Sequence, residues 1–130
     1  MQKNFLKLGA LLGALSVILG AFGAHSLKAI ISEKGLATFD TGVRYQFYHV
    51  IALFIIGILY KEFKNNSLLW AGRLFCLGIL LFSGSLYFLT FIEIGELNSL
   101  KWVGAITPLG GACFILGWIF LAIGISKKRS

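Results

Sequence analysis

The chain has 130 residues, of which 58% are hydrophobic and 13% are charged. Soluble domains carry about 25% charged residues, and a small globule has too little interior to bury so much apolar surface. These values exclude a water-soluble domain and favour a protein embedded in lipid. The net charge of +7 does not indicate a nucleic-acid partner, because the basic residues cluster at the ends of apolar segments.

Four apolar segments predict an all-α, polytopic membrane protein, a bundle of four transmembrane helices forming a single domain over residues 1–130. A spanning helix needs about 20 apolar residues, and an open sheet would leave backbone groups unpaired in lipid. Residues 27–41 have helical periodicity after Ser32, which predicts a short amphipathic outer helix, with an irregular loop as the alternative. The predicted transmembrane helices cover residues 5–25, 42–60, 68–92 and 102–125.

The first segment resembles a secretory signal peptide, because lysines precede an apolar stretch and residues 21–23 resemble a cleavage site. We expect it to be retained, since it has a packing pattern that a discarded peptide does not need. Small residues recur on one helix face at Gly9, Gly13, Ser16, Gly20 and Gly23.

The fourth helix has a similar row of small residues, which are Gly110, Gly117 and Gly124. Small residues allow membrane helices to approach closely. We infer that helices one and four are close-packed. A packing partner in the same chain is favoured over one in a second subunit.

The basic residues predict the orientation, because cytoplasmic loops are enriched in lysine and arginine. Four lie on the side opposite the termini, namely Lys28, Lys34, Arg44 and Lys101. The side of the termini has eight, which are Lys3, Lys7, Lys61, Lys64, Arg73, Lys127, Lys128 and Arg129. Both termini are therefore predicted to lie in the cytoplasm.

The most informative polar residues lie at the start of the second helix. Arg44, Tyr45, Tyr48 and His49 occupy about 140° of one helix face, and Gln46 extends that arc. Ionisable groups in a membrane are costly and usually face a partner or a cavity. Polar groups of the other helices reach the same outer half, namely His25, Ser83, Ser85, Tyr87 and Thr107. We therefore predict a polar ligand-binding pocket there.

Arg44 needs a counter-charge, and we expect an ion pair with Glu93, with Glu96 as the alternative; snorkelling to headgroups is the competing interpretation. Two histidines without nearby carboxylates or thiolates make a poor metal site, so we predict no metal. A hydrogen-bonded, structural His49 is the leading interpretation of that residue. The sequence contains no phosphate loop, zincin motif or nucleophile elbow. We assign no catalytic residue, and the identity of any cofactor stays unknown.

Four motifs occur in order along the chain: LGAFGAH (19–25), TGVRYQFYH (41–49), FSGSLY (82–87) and GAITPLGG (104–111). Together they resemble the YgdD-like family of small bacterial inner-membrane proteins, a domain-of-unknown-function family. The likeness covers nearly the whole chain. It implies four transmembrane helices and a place in the bacterial inner membrane, but it implies no reaction.

These observations favour a small, non-enzymatic membrane protein that binds a lipid, a quinone-like molecule or a partner helix through the polar pocket. The alternative is an oligomeric transporter or channel for small solutes or ions, with Arg44 and His49 on its path. A membrane enzyme using His49 as general base and Tyr48 or Tyr87 as donors is the third hypothesis. The expected partners are membrane lipids, with further copies of the chain or another membrane protein as possible additions.

Overall fold

A computed structural model describes residues 2–127, which form four helices that are long and apolar enough to cross a membrane. This confirms the predicted all-α membrane bundle. The third spanning helix has two α-helical parts joined by a π-helical segment, Ile79–Ser83. Short 3-10 segments follow the first helix at Leu27–Ala29 and precede the last at Asn98–Ala105. The α-helices are α1 (Gln2–His25), α2 (Glu33–Phe63), α3 (Asn66–Gly78), α4 (Gly84–Gly95) and α5 (Thr107–Ser126).

The bundle has two ends, and a polar side chain links two spanning helices at each. At the terminal end, formed by the first turn of α1, residues 63–66 and the last turn of α5, Asn65 accepts from Leu68 N at 3.1 Å. Its Nδ2 donates to Gly124 O at 3.0 Å. At the distal end, formed by residues 25–33 and 95–107, Ser32 donates to the Glu93 carboxylate through its backbone N and its hydroxyl. Two of the basic residues that predict the orientation, Lys128 and Arg129, lie outside the described residues.

The glycine row of α1 lies against α2 of the same chain. A Cβ atom added at Gly23 would lie 2.9 Å from the Phe39 ring, and one added at Gly13 would lie 3.4 Å from Val50. Ser16, which belongs to the same row, is also buried, and its hydroxyl donates to the Leu12 carbonyl one turn earlier in α1. The small residues therefore bring two consecutive helices into close contact.

The glycine row of α5 lies against the third spanning helix rather than against α1. An added Cβ would meet the Phe82 Cα at Gly110 and the Phe75 ring at Gly117, at 2.7 and 2.6 Å. At Gly124 it would meet Leu68 at 2.7 Å. The largest helix interfaces are therefore those within two hairpins, α1 with α2 and α3 with α5. The hairpins meet chiefly through α2, which also contacts α3 and α4.

Two helices begin at residues that hydropathy alone does not predict. α2 begins at Glu33, where the Ser32 side chain caps the helix by accepting from Gly35 N at 3.0 Å. Of the residues 27–41 predicted to form an outer helix, 33–41 are thus the first turns of α2 itself, and Leu27–Ala29 form the short 3-10 segment. α5 begins at Thr107, and Pro108 lies in its first turn, where the missing N–H has no intrahelical partner to lose.

Candidate functional site

The structure divides the predicted polar cluster into a buried group and an exposed group. The arc of α2 that carries the cluster crosses the border between the bundle interior and the side that faces lipid. The exposed residues are His25, Arg44, Tyr45 and Tyr48. The buried or half-buried residues are Gln46, His49, Ser83, Ser85, Tyr87 and Thr107.

Gln46 joins three helices through its side-chain amide. It is 1% exposed, and its Nε2 donates to the Leu12 carbonyl of α1 at 2.9 Å. Its Oε1 accepts from the Tyr87 hydroxyl of α4 at 2.6 Å. The amide nitrogen and the amide oxygen of Gln46 are therefore both engaged in hydrogen bonds that join α1 and α4 to α2. This role is structural.

His49 has a hydrogen bond at each ring nitrogen. The Trp118 Nε1–H can only donate, so His49 Nε2 accepts from it at 3.0 Å. This assigns the proton to Nδ1, which donates to Tyr45 O at 2.7 Å. The ring stacks on Phe114 with a centroid separation of 3.6 Å and an interplanar angle of 6°. In this arrangement neither nitrogen offers a free lone pair to a metal or a substrate.

The buried serines close the rest of the network. Ser83 is fully buried and donates to Gly42 O at 2.7 Å, which links the third spanning helix to α2. Ser85 donates to Phe82 O at 2.8 Å, so the Thr107 hydroxyl, 2.6 Å away, is the donor between those two. Within residues 2–127, every fully buried side-chain N or O atom has a partner. The buried polar atoms of the interior cluster are thus satisfied by hydrogen bonds within the protein.

The predicted ion pair between Arg44 and Glu93 is wrong. Arg44 Nε lies 3.3 Å from Asp40 Oδ2, one helical turn away on α2. Glu93 instead accepts from Ser32, and Glu96, the alternative, ends α4 in the left-handed conformation with φ 54°. The prediction failed because it began the second helix at residue 42, which left Asp40 outside the helix that carries Arg44.

Two grooves follow one another between α1 and α2, and of the exposed group only Arg44 and Tyr48 line them. The inner groove has a volume of about 240 Å³ and is lined by Ser16, Val17, Val43, Arg44, Phe47 and Tyr48. The outer groove, nearer the distal end, has a volume of about 320 Å³. It shares Val43 with the inner one and includes Gly20, Gly23, Ala24, Glu33, Phe39 and Asp40. We call the two together the α1/α2 groove. It opens to the side of the bundle.

Sequence reasoning missed Trp118 and Asp40. Trp118 donates to His49, but nothing in the apolar run of α5 indicates which of its residues faces α2. Asp40 precedes Arg44 by four residues, and this spacing alone predicts contact on a helix. No group of three or more metal-ligating side chains lies together among the residues that the structure describes.

The comparisons with known proteins agree on one family. A family model described as "Protein of unknown function (DUF423)" matches residues 19–111. The UPF0382 membrane protein YwdK of Bacillus subtilis is 44% identical over 127 residues, which cover 97% of this chain and 98% of that protein. The UPF0382 membrane protein of Haemophilus influenzae is 43% identical over 134 aligned residues, which cover 100% of this chain and 99% of that protein. No solved structure matches the chain.

Proposed function

Because this chain belongs to the DUF423 family of membrane proteins, whose description states no activity, we propose from its geometry that it binds a membrane lipid in the α1/α2 groove. An acyl chain lies along the inner groove, and the polar group of the lipid contacts Arg44. The role is one of binding rather than catalysis. We place the protein in the bacterial inner membrane with both termini in the cytoplasm, as the resemblance to the YgdD-like family and the basic residues imply.

The observation that carries the proposal is the position of Arg44 on the side of the bundle. Its side chain is 56% exposed, although it lies within a helix that is apolar enough to span the membrane. A cation at that depth is costly unless an anion or water meets it. Asp40 contacts Nε, and the guanidinium has four further N–H donors on its two Nη atoms. A phosphate accepts such donors in a bidentate geometry.

The inner groove supplies an apolar surface directly below this charge. Val17 of α1 and Phe47 of α2 are 66% and 43% exposed, and Val43 lies between the two helices. Tyr48 has a hydroxyl at the end of an apolar ring, which suits the border between acyl chain and headgroup. An apolar cleft with one convergent charge is the usual form of a site for an amphiphile.

The interior supports a site on the side of the bundle over a path through it. Beyond His49, the buried residues of α2 toward the terminal end are apolar, among them Ala52, Leu53 and Ile56. The buried polar groups of the distal half are engaged with one another. A solute path through one subunit would have to break these bonds and cross the apolar half.

The test is native mass spectrometry of the protein released from its own membrane in mild detergent. We expect one retained lipid, whose occupancy falls about tenfold in Arg44→Gln, as the loss of a charge-assisted hydrogen bond predicts. Arg73→Gln is the matched control, because Arg73 is also exposed but lies over the Trp70 ring of α3, away from the groove. It is expected to retain lipid like the parent protein. Equal occupancy in both variants, or retention of a quinone or a second protein instead, would overturn the proposal.

A further inference from the structure

Two opposite charges lie one helical turn apart at the top of the inner groove. Arg44 and Asp40 contact each other at 3.3 Å, and their side chains are 56% and 61% exposed. An ion pair this exposed contributes little to stability on its own. Both groups therefore remain accessible to a molecule that lies in the groove.

The charges have a definite order along α2. From the middle of the membrane toward the distal end come Phe47, Arg44, Asp40 and then Glu33. Arg44 and Asp40 are about 6 Å apart along the helix axis. A phospholipid with an amino headgroup has the same order: apolar chains, then phosphate, then an ammonium a few ångströms further from the membrane core.

The outer groove has the character that an ammonium requires. Its two charged lining residues, Glu33 and Asp40, are both acidic. Its wall on α1 is made of the small residues Gly20, Gly23 and Ala24, which add no charge to it. A neutral glycerol headgroup gains no ionic contact there, and a second phosphate is repelled.

Resting on the proposed function, we infer that the bound lipid is an aminophospholipid whose phosphate contacts Arg44 and whose primary ammonium contacts Asp40. The Arg44–Asp40 contact holds both charged groups at the groove before the lipid arrives. Asp40 then accepts from the guanidinium and from the ammonium, since one carboxylate has lone pairs for both donors. Glu33 adds negative potential further out.

The test uses the full chain in nanodiscs that contain equal amounts of phosphatidylethanolamine and phosphatidylglycerol, followed by release and native mass spectrometry. We expect the parent protein to retain phosphatidylethanolamine in excess by about two- to fivefold, the range that an exposed ion pair provides. Asp40→Asn is expected to reduce this ratio to about one while total lipid occupancy falls less than in Arg44→Gln. Glu96→Gln is the matched control, because Glu96 is an exposed acid at the same end but outside the groove.

The outcomes separate this inference from the function on which it rests. If the parent protein retains both lipids equally and Arg44→Gln retains neither, the headgroup assignment is wrong and the groove stays a lipid site. If Glu96→Gln loses the preference as Asp40→Asn does, the headgroup contact is not at Asp40 and the inference also fails. If lipid occupancy does not depend on Arg44, both proposals are overturned. Because Asp40 and Arg44 are exposed, we expect these variants to fold, and circular dichroism checks this.

Discussion

Replacing Gly110 by alanine tests how closely α5 approaches the third spanning helix. A Cβ atom at Gly110 would lie 2.7 Å from the Phe82 Cα and closer still to the Phe82 backbone N. Phe82 belongs to the π-helical segment, and Ser83 beside it is hydrogen-bonded to Gly42 O. The clash is therefore with backbone that is held in place, which a side-chain rotation cannot relieve.

Gly84 is the matched control for this substitution. It also lies in a helix, but a Cβ added there finds no atom within 4 Å. Both changes gain about 0.5–1 kcal/mol because alanine favours a helix over glycine. Overpacking destabilises by about 1–3 kcal/mol, and only Gly110→Ala has this term. The difference between the two variants cancels the common gain, so we expect Gly110→Ala to be less stable than Gly84→Ala by about 1–3 kcal/mol.

The free energy of unfolding is measured by titrating sodium dodecyl sulfate into dodecylmaltoside micelles and following tryptophan fluorescence. Gly110→Ala is expected to unfold at a lower mole fraction of sodium dodecyl sulfate than the parent protein. Gly84→Ala is expected to unfold at the same fraction or a higher one. If the two variants unfold together, the close approach of α5 to the π-helical segment is refuted.

Three further predictions concern the hydrogen bonds. Gln46→Leu removes two interhelical hydrogen bonds, each worth about 0.6 kcal/mol in a membrane. We expect the free energy of unfolding to fall by about 1 kcal/mol. Unchanged stability would contradict the hydrogen bonds of Gln46 to α1 and α4. Nitrogen-15 NMR of the parent protein is expected to show His49 protonated on Nδ1. In Trp118→Phe, which lacks the donor to Nε2, the Nε2 resonance is expected to shift. A proton on Nε2 in the parent protein would contradict the assignment. Ser32→Ala is expected to cost at least about 0.5–2 kcal/mol, because it removes the cap of α2 and also the hydroxyl hydrogen bond to Glu93. Ser26→Ala, whose side chain caps nothing, should change stability by less than about 0.5 kcal/mol, and equal losses in the two serine variants argue against the cap.

Sequence alone was enough to predict the four-helix membrane bundle, because membrane spans are recognisable by length and apolarity. Hydropathy marks where lipid contact ends, however, and not where a helix ends. α2 begins at Glu33, before its predicted start, because Ser32 caps it. α5 begins at Thr107, after its predicted start at residue 102, because Pro108 sets its first turn. Both signals are single residues that act on the backbone, one by capping it and one by lacking an N–H, so a hydropathy window does not register them.

Side-chain partners were harder to predict than burial. The polarity of Gln46 and His49 within an apolar run indicated an inward position, and both are buried. Their partners depend on the rotation of α1, α4 and α5 about their axes, which one sequence does not specify. The acceptor for Gln46 is a backbone carbonyl at Leu12, and every residue of α1 has one. No residue type could therefore have identified it.

The hairpin arrangement has a consequence for the synthesis of the protein. The ribosome delivers α1 and α2 first, and the glycine row of α1 needs no residue beyond Phe63 to find its partner. Gln46 can donate to Leu12 O as soon as these two helices are in the membrane. Its Oε1 has no partner until Tyr87 arrives with α4. The two hydrogen bonds of the Gln46 amide can therefore form at different stages of assembly. The bond from Nε2 can form within the first hairpin, and the bond to Oε1 can form only when the second hairpin docks.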